Sequence, residues 1–415
     1  MDIFQTFSLI LFITAILSFF NSLYSTLPTS IGLMVTSLMM AVCILVLGQL
    51  GVTSSYIHMV EEALNIIQFD LVLMRGMLGV LLFAAALHVN FNDLLRHRWA
   101  IGLLATLGVV FTAFLVGTCM FFVSGILNLN LSFLDCLIFG ALISPTDPIA
   151  VLSVLKAIGA PHDLEVKITG ESLFNDGVGV VLFSILLGLS SHSMVLSVQN
   201  ITWLFLKEAI GGVIFGSFIG YLAYQMLRRI DDYVTEILIT LSVVFTGCVA
   251  AESFHLSAPI AAVSAGLFIG NHGRNFNMDD KQTKHLDLFW HLMDEIFNSV
   301  LFVLLGFELL VITFNMQYIF AGFVAVLIVL LSRFVGVASI IGALRFHRDY
   351  SFQSIKMLTW GGLKGGISIA LALSLPETLH RELMLTMTFI VVIFSVLVQG
   401  TTIQYLFYRK RNNLS

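Results

Sequence analysis

The sequence predicts an all-α, polytopic membrane protein, and three observations lead to that class. The 415-residue chain is 58% hydrophobic and only 11% charged, whereas soluble domains carry about 25% charged residues. Its apolar residues gather into segments of about 20 residues, the length that a spanning helix needs. Its basic residues fall mostly on one side of these segments, as the positive-inside rule requires. This composition and a net charge of -5 argue against a soluble enzyme and against a nucleic-acid partner.

Thirteen apolar segments have the length of a spanning helix. Their predicted bounds are 4–23, 29–50, 71–90, 99–123, 133–155, 168–190, 202–226, 233–251, 256–271, 287–312, 318–343, 352–375 and 383–407. With the N-terminus outside, 15 of the 20 Lys and Arg residues fall at cytoplasmic ends, 3 at outer ends and 2 within spans. This asymmetry predicts an odd number of spans and a cytoplasmic C-terminus. We expect a prokaryotic plasma (inner) membrane location, since no organelle-targeting segment precedes the first span.

The chain shows no sign of a soluble module or of a cofactor site. The longest predicted cytoplasmic loop, about residues 272–286, is too short to fold independently, and no phosphate-binding GxxxxGK motif occurs. The four cysteines lack CxxC spacing, and the eleven histidines form no metal-binding pattern. We therefore expect neither an enzyme nor a cofactor, and any uphill transport must draw on an ion gradient.

The fifth span carries a proline-rich interruption. Pro145 and Pro148 remove two backbone donors and clash with the preceding turn, so a continuous helix is not expected here. The freed carbonyls, the Thr146 hydroxyl and the Asp147 carboxylate would meet near the middle of the membrane. Irregular backbone at this depth is tolerated only around a cavity or inside protein. The alternative is a simple proline kink in which Asp147 caps the second half-helix.

The twelfth span carries a glycine-rich interruption around a lysine. Four of the six residues 361–366 are glycine, which allows the helix to unwind. Lys364 would then neutralise the negative ends of facing half-helix dipoles. The alternative is that Lys364 reaches the cytoplasmic surface of the membrane. The fifth and twelfth spans correspond if the seventh links two halves of opposite orientation, which is the pattern of an inverted-repeat transporter with a midplane site.

The sixth span holds two acidic residues that point in different directions. Ser172 and Asp176 share a helix face, with Asn175 beside them. Glu171 is about 140° away from Asp176 around the helix. We expect Asp176 to face a cavity and Glu171 to pair with Arg333, because an unpaired arginine inside the membrane would be very costly. The alternative is a polar network that only packs helices together.

Four motifs of this sequence, in this order, resemble those of the NhaP/NHE-type sodium/proton antiporters. They are PTDP at 145–148, ESLFNDG at 171–177, GGLKG at 361–365, and DE at 294–295 followed by NSVLF at 298–302. The resemblance covers nearly the whole chain. It implies thirteen helices in an inverted repeat, with discontinuous helices 5 and 12 crossing each other, and a homodimer in the lipid bilayer.

The resemblance also implies how the chain divides into domains. Residues 1–95 and 231–312 would form the two halves of an interface domain, from helices 1–3 and 8–10. Residues 96–190 and 313–415 would form the two halves of a core transport domain, from helices 4–6 and 11–13, with a short cytoplasmic tail. Residues 191–230 would form the linking helix 7.

By motif match, the resemblance assigns roles to eight residues. The cation- and proton-binding set would be Asp176, Asn175, Asp147, Thr146 and Ser172. The direct ligands of the monovalent cation would be Asp176, Thr146 and Ser172, while Glu171, Arg333 and Lys364 would serve as structural ion pair and charge compensation. The implied activity is electroneutral exchange of sodium or lithium for protons, which compete for Asp176 by alternating access and support pH homeostasis.

Two departures from the family pattern bear on ion selectivity. Many relatives carry a carboxylate in the third span where this chain has Ala84, and many carry arginine where this chain has Lys364. Loss of one acidic group weakens the case for sodium and keeps a potassium/proton antiporter open as the alternative. A cation channel is a weaker alternative, because the sequence shows no selectivity-filter signature.

Overall fold

The structure is a computed structural model that describes residues 3–25, 27–49, 72–148, 151–152, 155, 160–190, 197–275, 280–312, 315–344 and 352–408. Within these residues the chain forms helices and turns without strands, so the predicted all-α class is confirmed. The helices are α1 (Ile3–Tyr24), α2 (Thr29–Gln49), α3 (Leu78–His88), α4 (Phe91–Arg96), α5 (Arg98–Leu103), α6 (Val109–Ile126), α7 (Phe133–Leu142), α8 (His162–Ser190), α9 (Val198–Leu227), α10 (Tyr233–Ser253), α11 (Ala258–Asn275), α12 (Asp280–Phe307), α13 (Met316–Leu344), α14 (Phe352–Trp360), α15 (Gly366–Leu373), α16 (Arg381–Phe394) and α17 (Gly400–Tyr408).

Short turns of other helical types extend or join these helices. Five-residue π-helical turns join α5 to α6 (Leu104–Gly108) and α16 to α17 (Ser395–Gln399), and a six-residue one, Val72–Met77, precedes α3. Turns of 3-10 helix follow α12 at Glu308–Leu310 and precede α16 at Glu377–Leu379. Such turns keep the backbone hydrogen-bonded, which a lipid environment demands.

Eight described segments are long and apolar enough to cross a membrane: Phe4–Tyr24, Thr29–Leu47, Arg98–Ile126, His162–Ser190, Gln199–Leu227, Tyr233–Ser253, Met316–Leu344 and Arg381–Gln404. Three shorter apolar helices are Val72–His88, Phe133–Leu142 and Ala258–Asn271. The count of thirteen spans therefore remains a prediction. Most of the predicted fifth span after Pro148, the middle of the predicted loop at 272–286 and the tail after Tyr408 lie outside the described residues.

Polar side chains set the start of individual helices. At the start of α7, the Asp135 amide donates to Ser132 Oγ at 3.1 Å, and the Ser132 amide donates to Asp135 Oδ2 at 2.9 Å. This reciprocal pair satisfies two donors that a helix start leaves free. At the start of α10, Asp232 Oδ2 accepts from the Thr235 amide at 3.1 Å in the same manner.

The helices pack in two groups through close contacts of small residues. One group includes α6, α7, α8, α13, α15 and α16, and the other includes α2, α3, α9, α10, α11 and α12. A side chain on Gly140 would clash with the Ala113 carbonyl, and one on Gly216 would clash with the Ala261 carbonyl. Small residues let helix backbones approach closely, which drives association where lipid offers no hydrophobic gain. The core and interface domain boundaries remain a prediction.

Candidate cation-binding site

The first interruption begins where α7 ends. The helix stops at Leu142, and residues 144–148 are not helical. Pro145 and Pro148 have no backbone N–H, so carbonyls on the turn before each proline lose their helical donor and must find other partners. The Ser144 hydroxyl turns back and donates to the Ala141 carbonyl at 2.7 Å. The sequence prediction of a break, rather than a continuous helix, agrees with this geometry.

The second interruption lies between α14 and α15, at residues 361–365. The π-helical turn Ser395–Gln399, between α16 and α17, hydrogen-bonds to this unwound segment. The Lys364 amide donates to Ser395 Oγ at 2.8 Å, and Ser395 Oγ donates to Gln399 Oε1 at 2.8 Å. Gln399 Nε2 in turn donates to the Trp360 carbonyl at 3.2 Å. Two buried side chains, Ser395 and Gln399, thus replace hydrogen bonds that unwinding removes. Neither residue was predicted from the sequence.

The two interruptions touch each other. The Asp147 amide donates to the Leu363 carbonyl at 2.8 Å. Lys364 Nζ donates to the carbonyls of Ser144 at 2.9 Å and Pro145 at 3.2 Å. Lys364 is 2% exposed, so its ammonium neutralises the carbonyl end of α7 and does not extend to a membrane surface.

Two side chains of α8 form hydrogen bonds with Thr146 in the first interruption. Asn175 Nδ2 donates to Thr146 Oγ1 at 2.6 Å, and the Thr146 amide donates to Asn175 Oδ1 at 3.3 Å. The Ser172 hydroxyl donates to the Thr146 carbonyl. Gly179 permits this approach, because a Cβ there would lie 2.7 Å from Pro145 Cγ. Three of the predicted site residues therefore form one hydrogen-bonded unit.

Glu171, on another face of α8, forms an ion pair with Arg333 of α13. Both residues are buried, and Arg333 Nη2 also donates to the Leu358 carbonyl at 3.2 Å, near the end of α14. A Cβ on Gly362 would lie 2.6 Å from Arg333 Nε, so the guanidinium lies directly against the second interruption. The structure thus brings together the two residues that the sequence suggested as partners.

Asp176 lies at the floor of a cavity of about 920 Å³. Its carboxylate is 4% exposed, and Oδ1 has no hydrogen-bond partner among the described residues. Asp147, Thr146 and Ser172 also line the cavity. Both Asp147 and Lys364 are close enough to Asp176 to interact with its charge. A buried acceptor without a donor is costly, and it indicates a position where a proton or a cation can bind.

The walls of the cavity are unlike one another. Helix α3 lines the cavity with leucines, Ala85 and His88. Ala84, where many relatives carry a carboxylate, packs inside a hydrophobic cluster and is not among the lining residues. Helix α12 contributes polar side chains, among them Asp294 and Asn298. Ser368 of α15 is 1% exposed, and its Oγ has no hydrogen-bond partner among the residues that the structure describes. It was not selected from the sequence, because a single serine in an apolar helix forms no pattern.

Comparison with known proteins places the chain among membrane transporters. The profile of the family described as sodium/hydrogen exchanger, transmembrane, matches residues 8–409. The chain is 45% identical over 395 residues to the Na(+)/H(+) antiporter NhaP of Pseudomonas aeruginosa, which covers 94% of this chain and 93% of that protein. It is 34% identical over 346 residues to the Na(+)/H(+) antiporter NhaH of Halobacillus dabanensis, covering 81% and 82%.

The fold has a counterpart among solved structures. The sodium proton antiporter MjNhaP1 from Methanocaldococcus jannaschii at pH 8 superposes with a TM-score of 0.71 at 19% identity, over 98% of each chain. At this identity the likeness concerns the fold alone. Together with the apolar helices described above, the comparisons confirm the predicted multi-pass membrane class.

Proposed function

Because the chain belongs to the sodium/hydrogen exchanger family, we propose that it is a secondary active antiporter that exchanges sodium or lithium for protons. The observation that carries the proposal is Asp176, whose buried carboxylate oxygen lacks a partner at the floor of a large cavity. Oxygen ligands suit hard cations. The Thr146 and Ser172 oxygens next to Asp176 supplement its carboxylate, and Asn175 fixes Thr146 in place.

Exchange follows from the charge of Asp176. The protonated carboxyl is neutral, and the carboxylate with a bound monovalent cation is neutral as well. The carboxylate without a proton or cation is charged, and a charged side chain at the bilayer centre costs about 3 kcal/mol or more. Asp147 and Lys364 balance each other beside it. The site therefore crosses the membrane barrier only when loaded, with one proton or one cation, which makes the exchange obligatory and electroneutral.

Alternating access requires one group of helices to move relative to the other. We infer that the group containing α7, α8, α13 and α15 is the core domain, which moves against the group containing α2, α3, α11 and α12. The hydrogen bond between Asp147 and Leu363 keeps the two interruptions together during this movement. The cavity rim includes His88, Asp93 and His162, which the distribution of basic residues assigns to the cytoplasm. The described conformation is therefore the inward-facing one.

Three further features are part of the proposal. The chain has thirteen spans arranged as an inverted repeat with crossed discontinuous helices, a cytoplasmic C-terminus in the plasma membrane, and a homodimeric interface formed by the second group of helices. The apolar wall that α3 presents to the cavity favours potassium as the alternative cargo on the same scaffold. Fewer acidic oxygens suit the more weakly hydrated ion.

Purified protein in proteoliposomes tests the proposal. A pH gradient is imposed, and sodium, lithium or potassium chloride is added while an internal dye reports pH. We expect sodium and lithium to collapse the gradient with the membrane potential clamped at zero. Collapse by potassium alone would establish the alternative cargo. If no cation collapses the gradient although labelled sodium crosses the membrane, the protein is a channel and the antiporter proposal is wrong.

A further inference from the structure

We propose that Asp294 and Asn298 of α12 form a second binding station for the monovalent cation, between the cavity rim and Asp176. The ligand would be a partly hydrated sodium or lithium ion that has entered the cavity. This inference rests on the proposed cation exchange, and it adds a residue pair from the wall opposite α8 to the cation path.

The spacing on α12 places this pair on the cavity face. Asp294, Asn298 and Leu301 follow one another at intervals of four and three residues, so they share one side of the helix. Leu301 packs on the first residue of α15, since a Cβ on Gly366 would lie 2.5 Å from Leu301 Cδ1. All three residues line the cavity. Asp294 and Asn298 therefore lie on the cavity face of α12, on the N-terminal side of the point where Leu301 packs against α15.

The pair presents oxygen atoms that need a ligand. Asn298 is 4% exposed, and its Nδ2 donates to Asp294 Oδ1 at 3.0 Å. Its Oδ1 has no hydrogen-bond partner within the described part of the chain. A packing role for Asn298 would use both ends of the amide, because buried polar atoms without partners are rare in folded proteins. A carboxylate and an unpartnered amide oxygen on one helix face are suitable ligands for a hard cation.

Negatively charged side chains lead from Asp294 to Asp176. Asp294 interacts with the charge of Asp147, and Asp147 interacts with that of Asp176. His291, one helical turn before Glu295, lies close to Asp294 and contacts Glu295 at 3.8 Å. A cation at Asp294 is thus attracted by two successive carboxylates toward the floor. Among the described residues, α3 lines the cavity with leucine and alanine side chains and with His88, so the carboxylates on this side of the cavity come from α12.

The first test separates sodium affinity from turnover. Asp294→Asn keeps the shape and the hydrogen-bonding capacity but removes the charge, and we expect the sodium KM of exchange to rise about tenfold with the maximal rate within about twofold. Asp294→Glu should restore most of the affinity. Glu382→Gln, at an exposed position of α16 outside the cavity lining, removes an equal charge and should leave KM nearly unchanged. Equal effects of both variants would reduce Asp294 to general surface charge and overturn the proposal.

The second test measures binding without transport. Asp176→Asn removes the floor carboxylate, and this variant should still bind labelled sodium weakly, whereas Asp176→Asn combined with Asp294→Asn should not. Loss of all sodium binding in Asp176→Asn alone would overturn the second station and leave the antiporter proposal intact. Conversely, wild-type protein that binds sodium through Asp294 without exchanging it would overturn the antiporter proposal only. Should Asp294→Asn fail to fold, Asn298→Ala, which keeps the charge, must raise KM.

Discussion

Helix α8 carries two buried carboxylates whose surroundings differ. Glu171 is 2% exposed and forms an ion pair with Arg333 inside a packed region of protein. Asp176 is 4% exposed, faces a cavity of about 920 Å³ and leaves one oxygen without a partner. The two residues are five positions apart on one helix: one carboxylate has a fixed partner, and the other leaves Oδ1 without a hydrogen-bond partner among the described residues.

The difference teaches that burial alone does not indicate the role of a charged residue. A buried ion pair with both partners present costs little or nothing relative to apolar packing, but it becomes strongly destabilising when one partner is removed. A buried carboxylate without a fixed counterion is destabilising as it stands, and a ligand relieves that cost. We therefore expect opposite responses of the two sites to the same amide substitution.

The largest transport effect should come from Asp176→Asn. The amide can neither release a proton nor neutralise a cation, so exchange in proteoliposomes should fall below detection, at least about a hundredfold. Thermal stability in detergent should stay the same or rise, because an unpartnered carboxylate has been replaced by a neutral group. Proton-coupled sodium transport that persists in this variant would contradict the proposed role of Asp176.

Glu171→Gln should show the reverse pattern. Leaving Arg333 buried without its partner should lower stability by about 3–5 kcal/mol, which a melting curve in detergent will detect. The double variant Glu171→Leu with Arg333→Leu serves as the control, since removing both charges should recover most of the loss. If the double variant is as unstable as the single one, the ion pair is not what holds α8 to α13.

Lys364→Met should lower the exchange rate substantially. The ammonium donates to two carbonyls at the end of α7, and hydrogen bonds to charged groups contribute about 1.5–3 kcal/mol each. The substitution would remove both hydrogen bonds to the first interruption, and it would remove the positive charge near Asp176. We expect the exchange rate to fall by about tenfold or more, while Lys364→Arg keeps a substantial part of it. Full activity of Lys364→Met would exclude charge compensation by Lys364.

Ser172→Ala should have the smallest effect of the series. The substitution removes one hydrogen bond to the Thr146 carbonyl, which contributes about 1 kcal/mol, whereas Asn175 still holds Thr146 through two contacts. A sodium KM raised about fivefold is expected, with thermal stability nearly unchanged. A change in maximal rate without a change in KM would show that Ser172 positions the backbone and is not a ligand.

The sequence predicted the helical class, both interruptions and the partnership of Glu171 with Arg333, because prolines, glycine clusters and buried charges have strong local consequences. It did not predict the direct hydrogen bond between Asp147 and Leu363, since distant segments meet only through the packing of the helices between them. Single hydroxyl residues such as Ser368 and Ser395, and the single amide of Gln399, could not be predicted from the sequence. One polar group in an apolar helix has many possible partners.

Asp294 illustrates an intermediate case. The sequence placed Asp294 in one of the four motifs shared with the antiporter family, but it assigned the residue no role. Which face of α12 looks into the cavity depends on Leu301 packing against Gly366, a contact between two helices that no single-helix pattern encodes. The structure supplies that orientation.

The contact between the interruptions has a consequence for how the protein is made. The ammonium of Lys364 and the carbonyl of Ser144 are 220 residues apart in the chain, so the ribosome delivers the two prolines and Asp147 to the membrane long before their partners. During that interval the carbonyls of the first interruption must be shielded by water or by the insertion machinery, because lipid offers no donors. The contact between the two interruptions is therefore among the last features to form during biogenesis, and a chain truncated before residue 361 would carry its acidic residues without the lysine that accompanies them.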